Sequence, residues 1–359
     1  MRELFNSPVS EEMTPKQQDL LTTLIEEAPQ ISFDALQSKL MKPETSLNRQ
    51  RYLVQCLNAI GELDAHKEAL EVVKQFNLSG LSKEKPFAAG ILIDPLGAEY
   101  LLIKGGSFDY SLTKKRETVP DLYVAKFTVT NRLFRRFIGY LESQEGDFAR
   151  VLPLATFTKE LRALAKSIKE FSGWLQEEKK WSKQFVSWYD DDKRFNKDDQ
   201  PVIATWYAAR AYCLWLSLLE SKGRDTLRYR LPKEMEWEFA ASGEEGRPYP
   251  WPKERGEPTP KLANYNSNEG STTPVGRYPE GATPEGLFDM AGNVWEWTDD
   301  WYDNDKDVRS LRGAYYNSKA DALRCSSRLS FYPWICSSSN VGFRVIRSSH
   351  SFLPEHLIL

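Results

Sequence analysis

Histidine is nearly absent from this 359-residue chain, which has only His66, His350 and His356. None shares a helix face with another at ligand spacing, and two stand near the C-terminus. A three-histidine iron or zinc site would have to gather all of them from opposite ends of the chain. A histidine-based catalytic triad is weakened for the same reason. Cysteine is scarce as well. Cys56, Cys213, Cys325 and Cys336 are too few and too scattered for a disulfide scaffold, which points to a reducing, cytoplasmic setting. Long apolar runs are missing and the mean hydropathy is −0.55, so no membrane span is expected. The opening residues, MRELFNSPVSEEM, lack the charged-then-apolar pattern of a signal peptide. Net charge of one sign is also missing: 48 Lys+Arg against 51 Asp+Glu leave −3. That balance argues against nucleic acid or an anionic membrane as a partner.

Aromatic residues are what the chain has, and they divide it. All eleven tryptophans lie at or beyond Trp174, whereas residues 1–85 hold only Phe5, Phe33, Tyr52 and Phe76. The front segment reads as a small helical bundle: Thr14 caps a helix with Pro15 at its first position, and Leu20, Leu21, Leu24 and Ile25 recur at helical spacing. Docking onto a protein partner is the role left to it by elimination. From residue 86 the texture changes to short strands, turns and Trp-rich loops. AAGILIDP and EYLLIKGGSF read as paired strands. Thr130-Asn131 caps a helix whose stripe is Leu133, Phe134, Phe137, Ile138 and Leu141. Residues 145–199 read as a charged, solvated helical insertion, in which Asp190, Asp191 and Asp192 form either a loop or a metal site. Pro232 precedes another helix, with Trp237, Phe239 and Ala240 facing a core. Trp295, Trp297 and Trp301 alternate as a strand does, and buried indoles need carboxylates or carbonyls as N–H partners.

Four stretches carry a family resemblance: LLIKGGSFDY with LYVAKFTVTNRLFRRFI; QPVIATWYAARAYCLWL leading into YRLPKEMEWEFAASG; GLFDMAGNVWEW; and LRGAYYN, LRCSSR and NVGFRV. Together they resemble the sulfatase-modifying, formylglycine-generating enzyme family. The resemblance implies an α+β chain with a C-type-lectin-like fold over 86–359, preceded by the small helical domain. It also implies calcium, held by Asp289 and Glu296 and by the carbonyls of Gly292 and Val294. Asn264 matches a ligand of a second calcium site whose following loop is shortened here. The alternative is that Asp289 and Glu296 cap turns and hydrogen-bond the indoles.

Catalysis in the resembled family uses two cysteines five residues apart, because a soft copper ion needs two thiolates. Cys325 matches the second, but Ala320 stands at the first, and Cys336 lies outside the pattern. Related iron-dependent sulfoxide synthases need a histidine cluster that His66 alone does not supply. The expectation is therefore a non-enzymatic protein with no redox cofactor. A copper- or iron-dependent oxidase acting through Cys325, or a fixed adaptor subunit, stands as the alternative.

The segment LSFYPWICSSS, residues 329–339, carries no charge although Arg324, Arg328 and Arg344 flank it. Tyrosine, tryptophan and serine are what binding surfaces favour. Leu329, Ser330, Phe331, Tyr332, Trp334, Ile335 and Cys336, with Tyr315 and Tyr316 of GAYY, are the expected ligand-binding residues, and the expected ligand is a protein. The pattern resembles the variable proteins of diversity-generating retroelements, whose final segment is rewritten at template adenines. Every residue of 329–339 except Trp334 is reachable from an AAC codon altered at its adenines.

Overall fold

A computed structural model describes residues 91–143, 147–168, 170–186, 191–335 and 341–348. The chain divides into two units, Met1–Ala88 and Ala89–Leu359, and the described residues belong to the second. The helical reading of 1–85 and the position of Cys336 lie outside them.

The alternation seen in the sequence builds a five-stranded antiparallel sheet. Its strands are β1 (Ile91–Ile93), β2 (Glu99–Ile103), β5 (Leu122–Ala125), β6 (Tyr229–Arg230) and β11 (Ile346–Ser348), in the order β1-β2-β5-β11-β6. The last strand thus returns between β5 and β6, closing the domain's two ends into one sheet. Between β2 and β5, β3 (Gly106–Tyr110) and β4 (Lys115–Val119) form a separate hairpin. A second sheet, in the order β10-β7-β8-β9, contains β7 (Trp295–Trp301), β8 (Arg309–Arg312), β9 (Arg328–Phe331) and β10 (Val341–Gly342). There β10 runs parallel to β7 and the other pairs are antiparallel, which leaves β9 at an edge.

The expected helices form where their patterns place them. Asn131–Ser143 buries Phe134, Phe137, Ile138 and Leu141, and Thr130 Oγ1 accepts the Leu133 N–H at 3.4 Å. Trp206–Glu220 is apolar nearly all round and is buried accordingly, with Thr205 capping Ala208. Glu234–Ser242 follows Pro232 and buries Trp237, Phe239 and Ala240.

The insertion is different from the solvated appendage its charge suggests. Leu152, Phe157, Leu161, Phe171 and Trp181 are fully buried and Phe185 nearly so, all in the cluster that holds Phe137, Tyr140, Tyr212 and Trp215. Phe137 stacks on Phe185, and Phe171 on Tyr207 at 4.4 Å between ring centroids. The physical reason is amphipathicity. In Leu154–Ser167, Phe157, Leu161 and Ala165 recur every fourth residue, so the lysines solvate one face while the other completes the core.

Candidate functional site

The predicted binding residues fall into two groups. In the first, β9 pairs with β8 in the register Arg309↔Phe331, Ser310↔Ser330, Leu311↔Leu329. Leu329 is 40% and Tyr332 45% exposed, while Ser330, Phe331, Trp334 and Ile335 are half-buried. Pro333 is buried and ends the strand. Its carbonyl accepts the Trp206 N–H at 3.0 Å, so the turn that follows is tied to the start of helix Trp206–Glu220. The Ile335 N–H closes that turn onto the Tyr332 carbonyl, and the Tyr332 and Trp334 rings lie 5.1 Å apart. Phe331 and Trp334 pack on the core from above. A rigid base under a partly exposed ring pair results.

Tyr315 and Tyr316 form the second group, edge to face at 5.4 Å, with Phe195 5.8 Å from Tyr316. The Tyr316 N–H donates to the Asn293 carbonyl and its own carbonyl accepts from Ser267, so this pair belongs to the loop around Asn264 and Asn293. Each pair has its own anchor in the fold.

Cys325 is 2% exposed among Trp237, Phe239, Met290 and Leu287. Its N–H donates to the Pro248 carbonyl and its carbonyl accepts from Arg312 Nη1, so the backbone on both sides is held. Burial pushes the thiol far above its ordinary range, with Glu238 adding to the rise. A buried, protonated thiol is a poor nucleophile. Among the described residues no three His, Cys, Asp or Glu side chains gather to hold a metal ion. Asp192 is engaged by Arg194 at 2.7 Å.

Glu296 sits at full burial against Arg344, also fully buried. Arg344 Nη2 donates to Oε1 at 2.8 Å and Nε to Oε2 at 3.1 Å, and the Trp237 indole donates to Oε2 at 2.7 Å. The remaining Arg344 donors reach the carbonyls of Ala125, Lys126 and Phe288. The arginine of NVGFRV therefore ties the end of β5 and the 288 loop to β7. Calcium, implied at this loop, does not fit Glu296 as it stands: the carboxylate accepts three hydrogen bonds, and a guanidinium already neutralises its charge. Asp289 is the less committed carboxylate. It accepts the Gly276 N–H at 2.7 Å, and burial raises its pKa to about 6. Between the two, Gly292 has a positive φ of 81°, and a side chain there would collide with the Asn264 carbonyl.

Two features escaped the sequence reading. Glu234 binds Arg312 at 3.0 Å and Arg328 at 2.6 Å, and Arg312 also meets Glu238 at 2.9 Å, under the β8–β9 pair. Arg309 lies against the indoles of Trp206 and Trp301. Nothing local marks Arg312 and Arg328, because their shared partner Glu234 lies 78 and 94 residues away.

The sequence profile of the sulfatase-modifying factor enzyme 1-like domain matches residues 94–349. The chain belongs to this family. Its lectin-like fold is therefore that of the formylglycine-generating enzymes. It is 32% identical over 278 residues to the serine/threonine-protein kinase Pkn1 of Chlamydia trachomatis, covering 70% of this chain and 38% of that protein. The chain thus spans about two fifths of the length of the curated relatives it matches first. It is also 32% identical over 250 residues to the inactive C-alpha-formylglycine-generating enzyme 2 of Bos taurus, covering 63% of this chain and 77% of the relative. Among solved structures, Treponema denticola variable protein 1 is similar at 20% identity and a TM-score of 0.45, covering 72% of this chain and 98% of that one. No described helix is long and apolar enough to cross a membrane.

Proposed function

We propose that this family member is a non-enzymatic binding protein whose lectin-like domain presents a diversified face, Leu329 to Tyr332 and Trp334 to Cys336 with Tyr315 and Tyr316, to a protein ligand. The observation that carries the reading is the Tyr332–Trp334 ring pair, part-exposed at a sheet edge and anchored from beneath through Pro333. Aromatic rings fixed in this way bury large area at low entropic cost, and neighbouring serines add adaptable hydrogen bonds. The buried, protonated Cys325 and the alanine at 320 support the non-enzymatic part. The bovine relative named inactive is in keeping with it. Residues 1–85 would connect recognition to a further protein.

Two experiments test this. Deep sequencing of the gene's 3′ part across a population of source cells should reveal a nearby copy of the segment for residues 315–340 that differs at adenines. An invariant segment with no copy removes the diversified part of the reading. Crosslinking the purified chain in source-cell extract would identify a protein ligand, whose binding is then compared across variants. Tyr332→Ala with Trp334→Ala should abolish binding and Cys325→Ser should leave it intact. Copper or iron in the purified protein that is lost in Cys325→Ser would instead establish the oxidase.

A further inference from the structure

Arg309 begins β8 and is 5% exposed. Its guanidinium lies between two indoles, 3.5 Å from the ring centroid of Trp301 and 3.9 Å from that of Trp206. Nη1 donates to the Asp299 carbonyl at 2.7 Å, and Nε is buried with no hydrogen-bond partner. The nearby Asp299 carboxylate is paired with Arg210 at 3.2 Å. Burial lowers the Arg309 pKa to about 10. An arginine so placed is costly: it is desolvated, short of an acceptor, and without a carboxylate directly on it. An apolar side chain would fill the slot without that cost, so stability alone does not account for it.

What the guanidinium provides is orientation. A planar cation in contact with both rings restrains each indole relative to the other. Trp206 is the residue whose N–H holds the Pro333 carbonyl, and Arg309 is itself opposite Phe331 in the β8–β9 register. Both attachments of β9 and the Tyr332–Ile335 turn, the Trp206 backbone N–H and the β8 pairing, therefore converge on the residues around Arg309. We infer that Arg309 is a positioning residue: stacked between Trp206 and Trp301, it pre-organises the Tyr332–Trp334 ring pair for its ligand. This deepens the binding reading proposed above, because a pre-ordered face loses less entropy on association.

The test needs no ligand. Hydrogen exchange is followed by mass spectrometry on the whole chain, comparing the peptide covering 329–335 with one covering 210–220. In Arg309→Met, which keeps an unbranched stem but has no charged plane, exchange at 329–335 should quicken about tenfold or more while 210–220 stays unchanged. Arg309→Lys keeps the charge without the plane and should resemble Arg309→Met. Unchanged exchange at 329–335 in Arg309→Met overturns the inference. So does equal quickening in both peptides, which would make Arg309 merely structural, and so does wild-type behaviour of Arg309→Lys. If the exchange result holds but Tyr332→Ala with Trp334→Ala binds the crosslinked ligand normally, the display reading fails and the positioning role stands. If exchange is unchanged while that double variant loses binding, only the role of Arg309 falls.

Discussion

Replacing Glu296 with glutamine removes the carboxylate that faces Arg344 and leaves a fully buried guanidinium without its counter-charge. Glutamine keeps the shape and one acceptor oxygen, but its amide group presents N–H donors toward Arg344 or toward the Trp237 indole. Breaking a buried pair from one side costs about 3–5 kcal/mol, because the remaining charge stays desolvated. The loss should lie at the upper end of that range, since Arg344 also ties β5 and the 288 loop to β7. Urea unfolding of wild type and Glu296→Gln gives the difference, measured once with EDTA and once with added calcium. The geometry predicts the same loss in both conditions. Adding Arg344→Met to Glu296→Gln should recover part of it. A loss below about 1 kcal/mol would refute the ion-pair reasoning. A loss seen only with calcium would show that Glu296 serves the metal and not the arginine.

Three further outcomes follow from the same packing. The Cys325 thiol should resist alkylation in the folded protein and react once urea exposes it; labelling at the rate of a free thiol would contradict its burial. Trp181→Ala, in the charged insertion, should destabilise the domain by about 3–5 kcal/mol in urea titration, as expected of a fully buried ring, where a solvated appendage would show almost nothing. Asp94 accepts the N–H groups of Leu96 and Ala98 and the Tyr100 hydroxyl, yet burial raises its pKa from 3.8 to about 6. A raised carboxyl pKa means that the native state holds the proton longer. Its stabilising effect is complete below the unfolded value and is lost as pH rises through about 6, a swing of about 3 kcal/mol. Asp94→Asn can keep both N–H bonds on Oδ1 and donate Nδ2 to the Tyr100 oxygen without the charge, so the stability gap between wild type and variant should widen in the variant's favour from about pH 4 to 7. A pH-independent gap would refute it.

Much of the fold was legible from local pattern. The stripe from Leu133 to Leu141, the Pro232 entry to Glu234–Ser242 and the alternation through Trp295 and Trp297 each depend on neighbours within a turn or two, and periodicity reports such contacts directly. The family was legible in GLFDMAGNVWEW and NVGFRV because these words recur as units. Buried indoles find N–H partners at Trp237 with Glu296, Trp297 with the Ala204 carbonyl and Trp206 with the Thr298 carbonyl, but the Trp215 indole is buried without one. The insertion misled because its lysines dominate the composition, although the Phe157–Leu161–Ala165 spacing was present.

Tertiary structure decided which charges are free and which are spent. Glu296 and Arg344 are 48 residues apart, and Trp237 lies 59 residues from Glu296. Arg309 meets Trp206 only because β8 crosses the start of a helix about a hundred residues earlier. A carboxylate in a glycine turn reads the same in sequence whether it faces a metal or a guanidinium. The choice depends on what long-range packing brings within about 3 Å, where Coulomb attraction in a dry interior outweighs any local preference.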